Sequence, residues 1–486
     1  MINRAWLLGL LLAVPLIGMG VAEAIQAQWK SRLHSALRNQ WPQASEQEIA
    51  AVSIEQICSD PVPAIQEPCD AHANVSLMGM AALGAGVVGV AMLLLIRLSG
   101  MLGSNDRNLL VTLFKPGLYL TILVLIGLIA VHAAVVIAAL YYIETSLIGR
   151  IHVRMIAAIG CGAIAGIYAM ARGALSVVEK AQVFVVGAQL TRMEAPRLWK
   201  CIEDTARRLD ALGPDNLVVG LDPNFFVTEA TVTCLSGTLE GRTLYCSLPL
   251  CRILTREELI SVIGHELGHF KGEDTKFSQR FYPIYRGTAT SLAALQETGD
   301  GWLGRIAVLP ALAVLSYFLE CFSVAESRLG RLRELAADQA AASVTSPRSI
   351  ASALVKLHAF TGWWKELQDA AINAVREGRV FANMSKTYAE AVALNAKSEI
   401  IHGVARTHLS HPTDSHPPLS ERLESLRLKL EDVSTDALVV APAEPAIAHV
   451  DEAEGREEEI SAAYQVIVAR HLGIDLLESD AEGCSD

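Results

Sequence analysis

Two histidines and a glutamate fall within five positions of an otherwise apolar stretch, "SVIGHELGHF", residues 261–270. His265 and His269 are four apart, so on a helix they stack on one face and both imidazoles reach a single ion. Glu266 is rotated off that line and addresses a water on the ion instead. This is the HExxH pattern of zinc hydrolases, and a catalytic zinc needs a third protein ligand while leaving one position for water. The extended form HExxHxxGxxH is absent, because Thr275 stands where its third histidine would be.

The third ligand must come from elsewhere. "SRLRELAADQAA" carries Glu334 and Asp338, again i and i+4 on one helical face. Glu334 can bind the metal, and Asp338 can accept the ring N–H of a ligand histidine and hold its tautomer. Ala336, Ala337, Ala340 and Ala341 would let this helix approach the HELGH helix closely. A last candidate is "SHPPLSERLESL", residues 415–426. His416, held extended by Pro417-Pro418, and Arg422, in the first turn of the next helix, are both donors able to face a developing oxyanion.

Local signals say how these residues are carried. Thr255 with Glu258 three residues later forms a capping box opening the HELGH helix. Residues 194–212 read as an amphipathic helix stopped at Gly213-Pro214. Two β-rich runs around Glu240-Gly241 read as a β-hairpin at 224–249, whose strand near 243–248 could receive an extended peptide by β-addition.

These motifs match, in order, the membrane zinc metallopeptidases that include the heat-shock protease HtpX and the CAAX prenyl endopeptidase. The resemblance runs from about residue 217 to 430 and rests on "NFFVTEA", "GRTLYCSLPL", "REELISVIGHELGHFKGEDT", "SRLRELAADQAA" and "SHPPLSERLESL". It implies an α+β, gluzincin-type domain with one Zn2+ per chain. His265, His269 and Glu334 fall on the ligand positions, Glu266 on the catalytic glutamate, and His416 and Arg422 beside the zinc. The implied role is cleavage of membrane or unfolded protein substrates. Before residue 172 the chain departs from the relatives' span patterns.

The bulk of the chain supports a membrane setting. Of 486 residues, 52% are hydrophobic and 19% charged, with a mean hydropathy of +0.34, a balance that calls for membrane spans. The net charge of −12 argues against nucleic acid as the main partner. Four apolar stretches, about 5–25, 76–98, 117–143 and 153–171, are each long enough to cross a bilayer. The first also reads as a cleavable signal peptide ending at Ala22-Glu23-Ala24. The expected organisation is a mainly α chain: a membrane domain over 1–171, a peptidase domain over 172–430, and an acidic, solvated tail over 431–486. Arg97, Arg107 and Lys115 place the 97–116 loop inside, and the catalytic domain with it, on the cytoplasmic face of the cell (inner) membrane. Loop 26–75 is then outside, where Cys58 and Cys69 either pair or stand as unrelated thiols.

A further apolar run, 302–322, lies between the two metal motifs. A single crossing there would separate His265 from Glu334, so a membrane-associated hairpin near 281–325 is expected. Two rival functions remain at this level. One is a zinc-stabilised scaffold or chaperone without turnover. The other is a transporter, for which His132 is the sole intramembrane candidate.

Overall fold

The computed structural model describes residues 4–59, 62–175, 182–271, 302–404 and 417–474. They form two compact units. One holds the described residues up to Leu175 with the 302–325 part of a later helix, and the other holds the rest.

The first unit is helical. Long helices α1 (Arg4–Gln40), α4 (Gln66–Gly103), α5 (Arg107–Ile143) and α6 (Val153–Leu175) are joined by short segments that include α2 (Glu46–Ala51) and α3 (Ile54–Ile57). The helices follow from uninterrupted apolar sequence with terminal signals; Asp106, for example, caps α5 by accepting from Asn108 and Leu109 backbone N–H groups. Small residues set the spacing of α1 and α4: a Cβ at Gly89 would sit 1.9 Å from a methyl of Leu11. A disulfide joins Cys58, at the end of α3, to Cys69 in the first turn of α4, which settles the alternative left open by the sequence.

Among the described residues, five helical stretches are long and apolar enough to cross a membrane: Ala5–Gln40, Pro63–Gly103, Asn108–Ser146, Val153–Arg172 and Leu309–Val344. The first four are those expected. The fifth belongs to one unbroken 43-residue helix, Trp302–Val344, so the apolar run 302–322 and the Glu334 motif share a single rod with no turn between them. The other arm of the expected hairpin, 281–301, lies outside the described residues.

The second unit mixes small sheets with helices. In chain order it contains β1 (Gln182–Phe184), β2 (Gly187–Gln189), α7 (Pro196–Leu209), β3 (Asn216–Gly220), β4 (Phe226–Thr228), β5 (Thr231–Cys234), β6 (Gly237–Leu239), β7 (Thr243–Ser247), α8 (Leu248–Ile253) and α9 (Arg256–Lys271). The long helix, α10 (Trp302–Val344), adds its last turns. After it come α11 (Pro347–Phe360), α12 (Gly362–Arg376), α13 (Met384–Asn395), α14 (Ser398–Val404), α15 (Leu419–Ser425), α16 (Leu430–Ala437) and α17 (Ala453–Leu472).

The expected hairpin at 224–249 resolves differently. Its strands divide between two sheets, one ordered β1-β5-β6 and one ordered β2-β3-β7-β4. Only β5 and β6 form a tight hairpin. Strand β7 is central, parallel to β3 and antiparallel to β4, so both of its edges are taken and it cannot accept a peptide strand. The edge on that side is β4. "SLPL" leaves the strand because Ser247 caps a helix with Pro249 near its start.

The described part of the expected tail, residues 431–474, is also not a solvated tail; 475–486 lie outside the described residues. Val433, Ala437, Ala446 and Ile460 are fully buried in the core. Ala446 N–H donates to Leu254 O at 2.8 Å, and Lys356 Nζ donates to Val439 O at 2.7 Å. Along α17, Glu457, Ser461 and Gln465 recur every four residues and face inward. Glu457 pairs with Arg252 and accepts from Asn383 Nδ2 at 2.9 Å. Ser461 accepts from Met384 N–H, and Gln465 bridges both backbone groups of Phe381. Averaged charge concealed a polar stripe whose partners lie 74 or more residues away.

One buried ion pair ties this segment to the rest. Lys356 is fully buried and contacts Glu258 Oε2 at 2.7 Å and Ile253 O at 3.1 Å. Burial pulls its pKa down, and Glu258 opposes that pull. Lys356→Ala would strand the Glu258 carboxylate in the core, so we expect a loss of about 3–5 kcal/mol. Chemical denaturation of the detergent-solubilised protein measures it, and an unchanged midpoint would contradict this account.

Candidate metal centre

Helix α9 carries the two histidines, and its start is fixed first. Thr255 N–H donates to Glu258 Oε2 at 2.7 Å while Glu258 N–H donates to Thr255 Oγ1 at 3.2 Å, the capping box the spacing predicts. The same glutamate accepts from Ser352 Oγ at 2.6 Å and from Lys356, so the cap is locked into the core. Leu259, Val262, Ile263, Leu267 and Phe270 then bury one side of the helix. That orientation turns His265 and His269 toward the end of α10.

The two helices meet on their smallest residues. A Cβ placed on Gly264 would lie 3.4 Å from Ala341 Cα, and one on Gly268 would lie 3.4 Å from Ala337 Cα. Ala337 and Ala341 are buried and Ala340 also lines the contact, as expected; Ala336 is exposed. Glu334, one turn N-terminal of Asp338, is thereby brought opposite the histidines.

The result is a cluster of three ligand atoms. His265 Nε2 and His269 Nε2 are 3.3 Å apart. Each lies 3.5 Å from a Glu334 carboxylate oxygen, Oε2 for His265 and Oε1 for His269. These are the spacings of ligands on one small tetrahedral ion, since bonds of 2.0–2.1 Å at the tetrahedral angle separate ligand atoms by about 3.3–3.4 Å. Among the described residues this is the one group of three or more His, Cys, Asp or Glu side chains able to hold a metal.

Behind the cluster stands a second layer. Asp338, fully buried, places Oδ1 2.9 Å from His265 Nδ1, an oblique approach that leaves the ring nitrogen without a well-aligned acceptor. Arg422, 5% exposed, holds Asp338 through two hydrogen bonds, Nε to Oδ2 at 2.8 Å and Nη2 to Oδ1 at 2.6 Å. Its Nη2 is also 3.7 Å from Glu334 Oε2. The sequence suggested that Arg422 faces an oxyanion, whereas the structure turns its fork onto the carboxylate that backs the ligand histidine. Nothing local signals this pairing, because 84 residues separate the partners. His416 lies outside the described residues.

The electrostatics match a cation site. Burial would lower the His265 pKa, but the Asp338 and Glu334 carboxylates outweigh it and push the group up to about 10. For Asp338 burial acts upward, yet Arg422 and His265 hold its carboxyl below the ordinary value. Burial raises the Glu266 carboxyl above the usual range, with the histidines opposing. Two imidazoles and a carboxylate packed this closely, with a second carboxylate behind, favour a positive charge between them. The donor set, nitrogen and oxygen with tetrahedral spacing, fits zinc.

Loosening the second layer tests the arrangement. Asp338→Asn and Arg422→Ala are each expected to weaken metal affinity by about 10–100-fold while His265, His269 and Glu334 remain. Competition against a fluorescent zinc chelator reads this directly, and parental affinity in both variants would refute the supporting role.

Comparison with known proteins gives the same picture. Residues 195–429 match the model of peptidase family M48. The protease HtpX homolog of Archaeoglobus fulgidus is 26% identical over 257 residues, covering 50% of this chain and 72% of the relative. That of Pyrobaculum calidifontis is 28% identical over 261 residues, covering 51% and 72%. The protease HtpX homolog 1 of Sulfurisphaera tokodaii is 31% identical over 180 residues, covering 34% and 54%. No solved structure matches. With HELGH and the distal glutamate converging inside the matched region, and apolar helices of spanning length outside it, the chain carries a peptidase family M48 domain and is similar to membrane proteases of the HtpX type.

Proposed function

We propose that this chain is a zinc-dependent endopeptidase that hydrolyses peptide bonds of membrane or unfolded proteins. The observation that carries the reading is the 3.3–3.5 Å triangle of His265, His269 and Glu334. These three residues would hold the ion. A zinc ion there supplies Lewis acidity, making a water nucleophilic near neutral pH and polarising the scissile carbonyl.

The remaining steps belong to the protein. Glu266, next to His265 in sequence but on a different face of α9, takes the proton of the attacking water and passes it to the leaving amine. Its upward pKa shift by burial suits a base that must later act as an acid. Asp338 orients His265, and Arg422 fixes Asp338, so we assign Arg422 to positioning the ligands. His416 is retained, from its place in the sequence, as the donor to the oxyanion. The sheet edge available for an extended substrate is β4, Phe226–Thr228, the outermost strand beside β7.

The disulfide supports a cytoplasmic active site. Cys58–Cys69 belongs on an oxidising side. Three further spans, in α4, α5 and α6, then return the chain to the reducing side before β1. Cys201, Cys234, Cys246 and Cys251 of the peptidase unit are free thiols, as that side requires. The excess of Arg97, Arg107 and Lys115 around the α4–α5 turn agrees.

Glu266→Gln should bind zinc like the parent yet lose roughly 10²–10⁴-fold in casein hydrolysis, the usual worth of a general base. Parental hydrolysis should stop with a chelator and return with zinc. Turnover surviving in the glutamine variant would remove Glu266 from its role, and a parent that never cleaves would leave the zinc-stabilised scaffold. For topology, a tag after Asp486 should be digested in inside-out vesicles and protected in right-side-out ones; the reverse pattern would place the active site outside.

A further inference from the structure

Helix α7 packs along the catalytic helix and touches it on either side of the HELGH histidines. Gly264 and Lys271 of α9 are seven positions apart, so they fall on one stripe of the helix. At the first, a Cβ on Gly264 would lie 3.8 Å from the methyl of Thr205, a buried residue of α7. At the second, Lys271 Nζ donates to Leu209 O at 2.7 Å. His265 and His269 lie between the two contacts.

Leu209 O is a carbonyl that α7 cannot satisfy by itself. Leu209 is the last residue of that helix, and the last four C=O groups of a helix lack intrahelical partners. As the chain turns away through Asp210 (φ 51°), Ala211 N–H returns to Ala206 O and Asp210 N–H to Arg207 O. Leu209 O is left to a group from elsewhere, and the Lys271 ammonium supplies it. A cation here also faces the negative end of the α7 macrodipole. Both effects favour a lysine, and an apolar side chain provides neither.

The metal ligands need the rotation of α9 to be fixed. Its start is locked by the capping box and Lys356. Near the histidines, Leu267 and Phe270 are buried, but apolar burial is non-directional. It sets which side faces the core and leaves small rotations open. A turn of about 10° moves a group about 6 Å from the helix axis by about 1 Å, while metal–ligand distances tolerate about 0.2 Å. The Lys271 hydrogen bond has a direction, and it lies two residues past His269.

We propose that Lys271 is a positioning residue of the metal centre, fixing the rotation of α9 at His269 by tying its end to the carbonyl terminus of α7. This role rests on His265, His269 and Glu334 being zinc ligands, and it acts through the helix that carries two of them.

The full detergent-solubilised chain carrying Lys271→Arg, Lys271→Met or Lys271→Glu tests this. Lys271 is exposed, so each substitution leaves the core intact. Competition with a fluorescent chelator reads zinc affinity, and hydrogen exchange of the metal-free protein reads peptides covering residues 264–271. We expect arginine to match the parent and methionine to lower zinc affinity about three- to tenfold. Glutamate, which sets a negative charge against the carbonyls, should lower it further. Exchange over 264–271 should quicken in the same order, and exchange over α17 should keep the parental rate. Parental exchange in the methionine and glutamate variants would overturn the anchor, whether or not zinc binds. Faster exchange with parental zinc affinity would overturn its service to the ligands. A parent chain without affinity for zinc would remove the metal reading and this role with it, a result distinct from a failed anchor, which the exchange data report separately.

Discussion

The close approach of α9 and α10 is the constraint on which the site depends. Two glycines on one helix and two alanines on the other bring the backbones together, leaving room for nothing larger than hydrogen or methyl at the crossing. Only at that separation can a glutamate side chain on α10 reach a point shared with two imidazoles on α9. A bulky residue at Gly264 or Gly268 would act on the metal site without touching it, by moving one ligand-bearing rod away from the other.

The site is then held by charges taken out of water. Arg422 with Asp338, Lys356 with Glu258 and Arg252 with Glu457 are each largely or wholly buried. Such pairs add little net stability over apolar packing, because desolvation offsets their attraction. What they add here is position. Each joins an element of the HELGH or Glu334 helix, or its immediate neighbour, to a distant part of the chain, and each can be satisfied in one arrangement only. Asp338 faces a ligand histidine on one side and a guanidinium fork on the other, so its carboxylate has almost no freedom to turn.

The segment after residue 430 extends this frame beyond the region shared with the M48 model. Its backbone meets the start of α9 at Leu254 and Thr255, and its last helix covers α8 through Glu457. The N-terminal end of the catalytic helix is therefore clamped from two directions. That holds steady a helix whose other end carries His265 and His269.

Much of this chemistry was legible in the residues themselves. The i, i+4 histidines, the i, i+4 acids, the capping box and the four early spans are all local patterns. Local geometry on a helix is fixed by its 3.6-residue period, so these patterns carry across unchanged. The family likeness added the role of Glu334, which spacing alone could not distinguish from a surface carboxylate. Tertiary structure decided what depends on partners far along the chain. It made β7 a central strand by pairing it with β3, turned Arg422 onto Asp338, and buried an acidic stretch whose inward stripe finds its partners on α8 and in the residues leading into α13. It also joined the apolar run at 302–322 to the metal motif as a single helix. None of these could be read from composition or period, because each is a contact between surfaces that only the folded chain brings together.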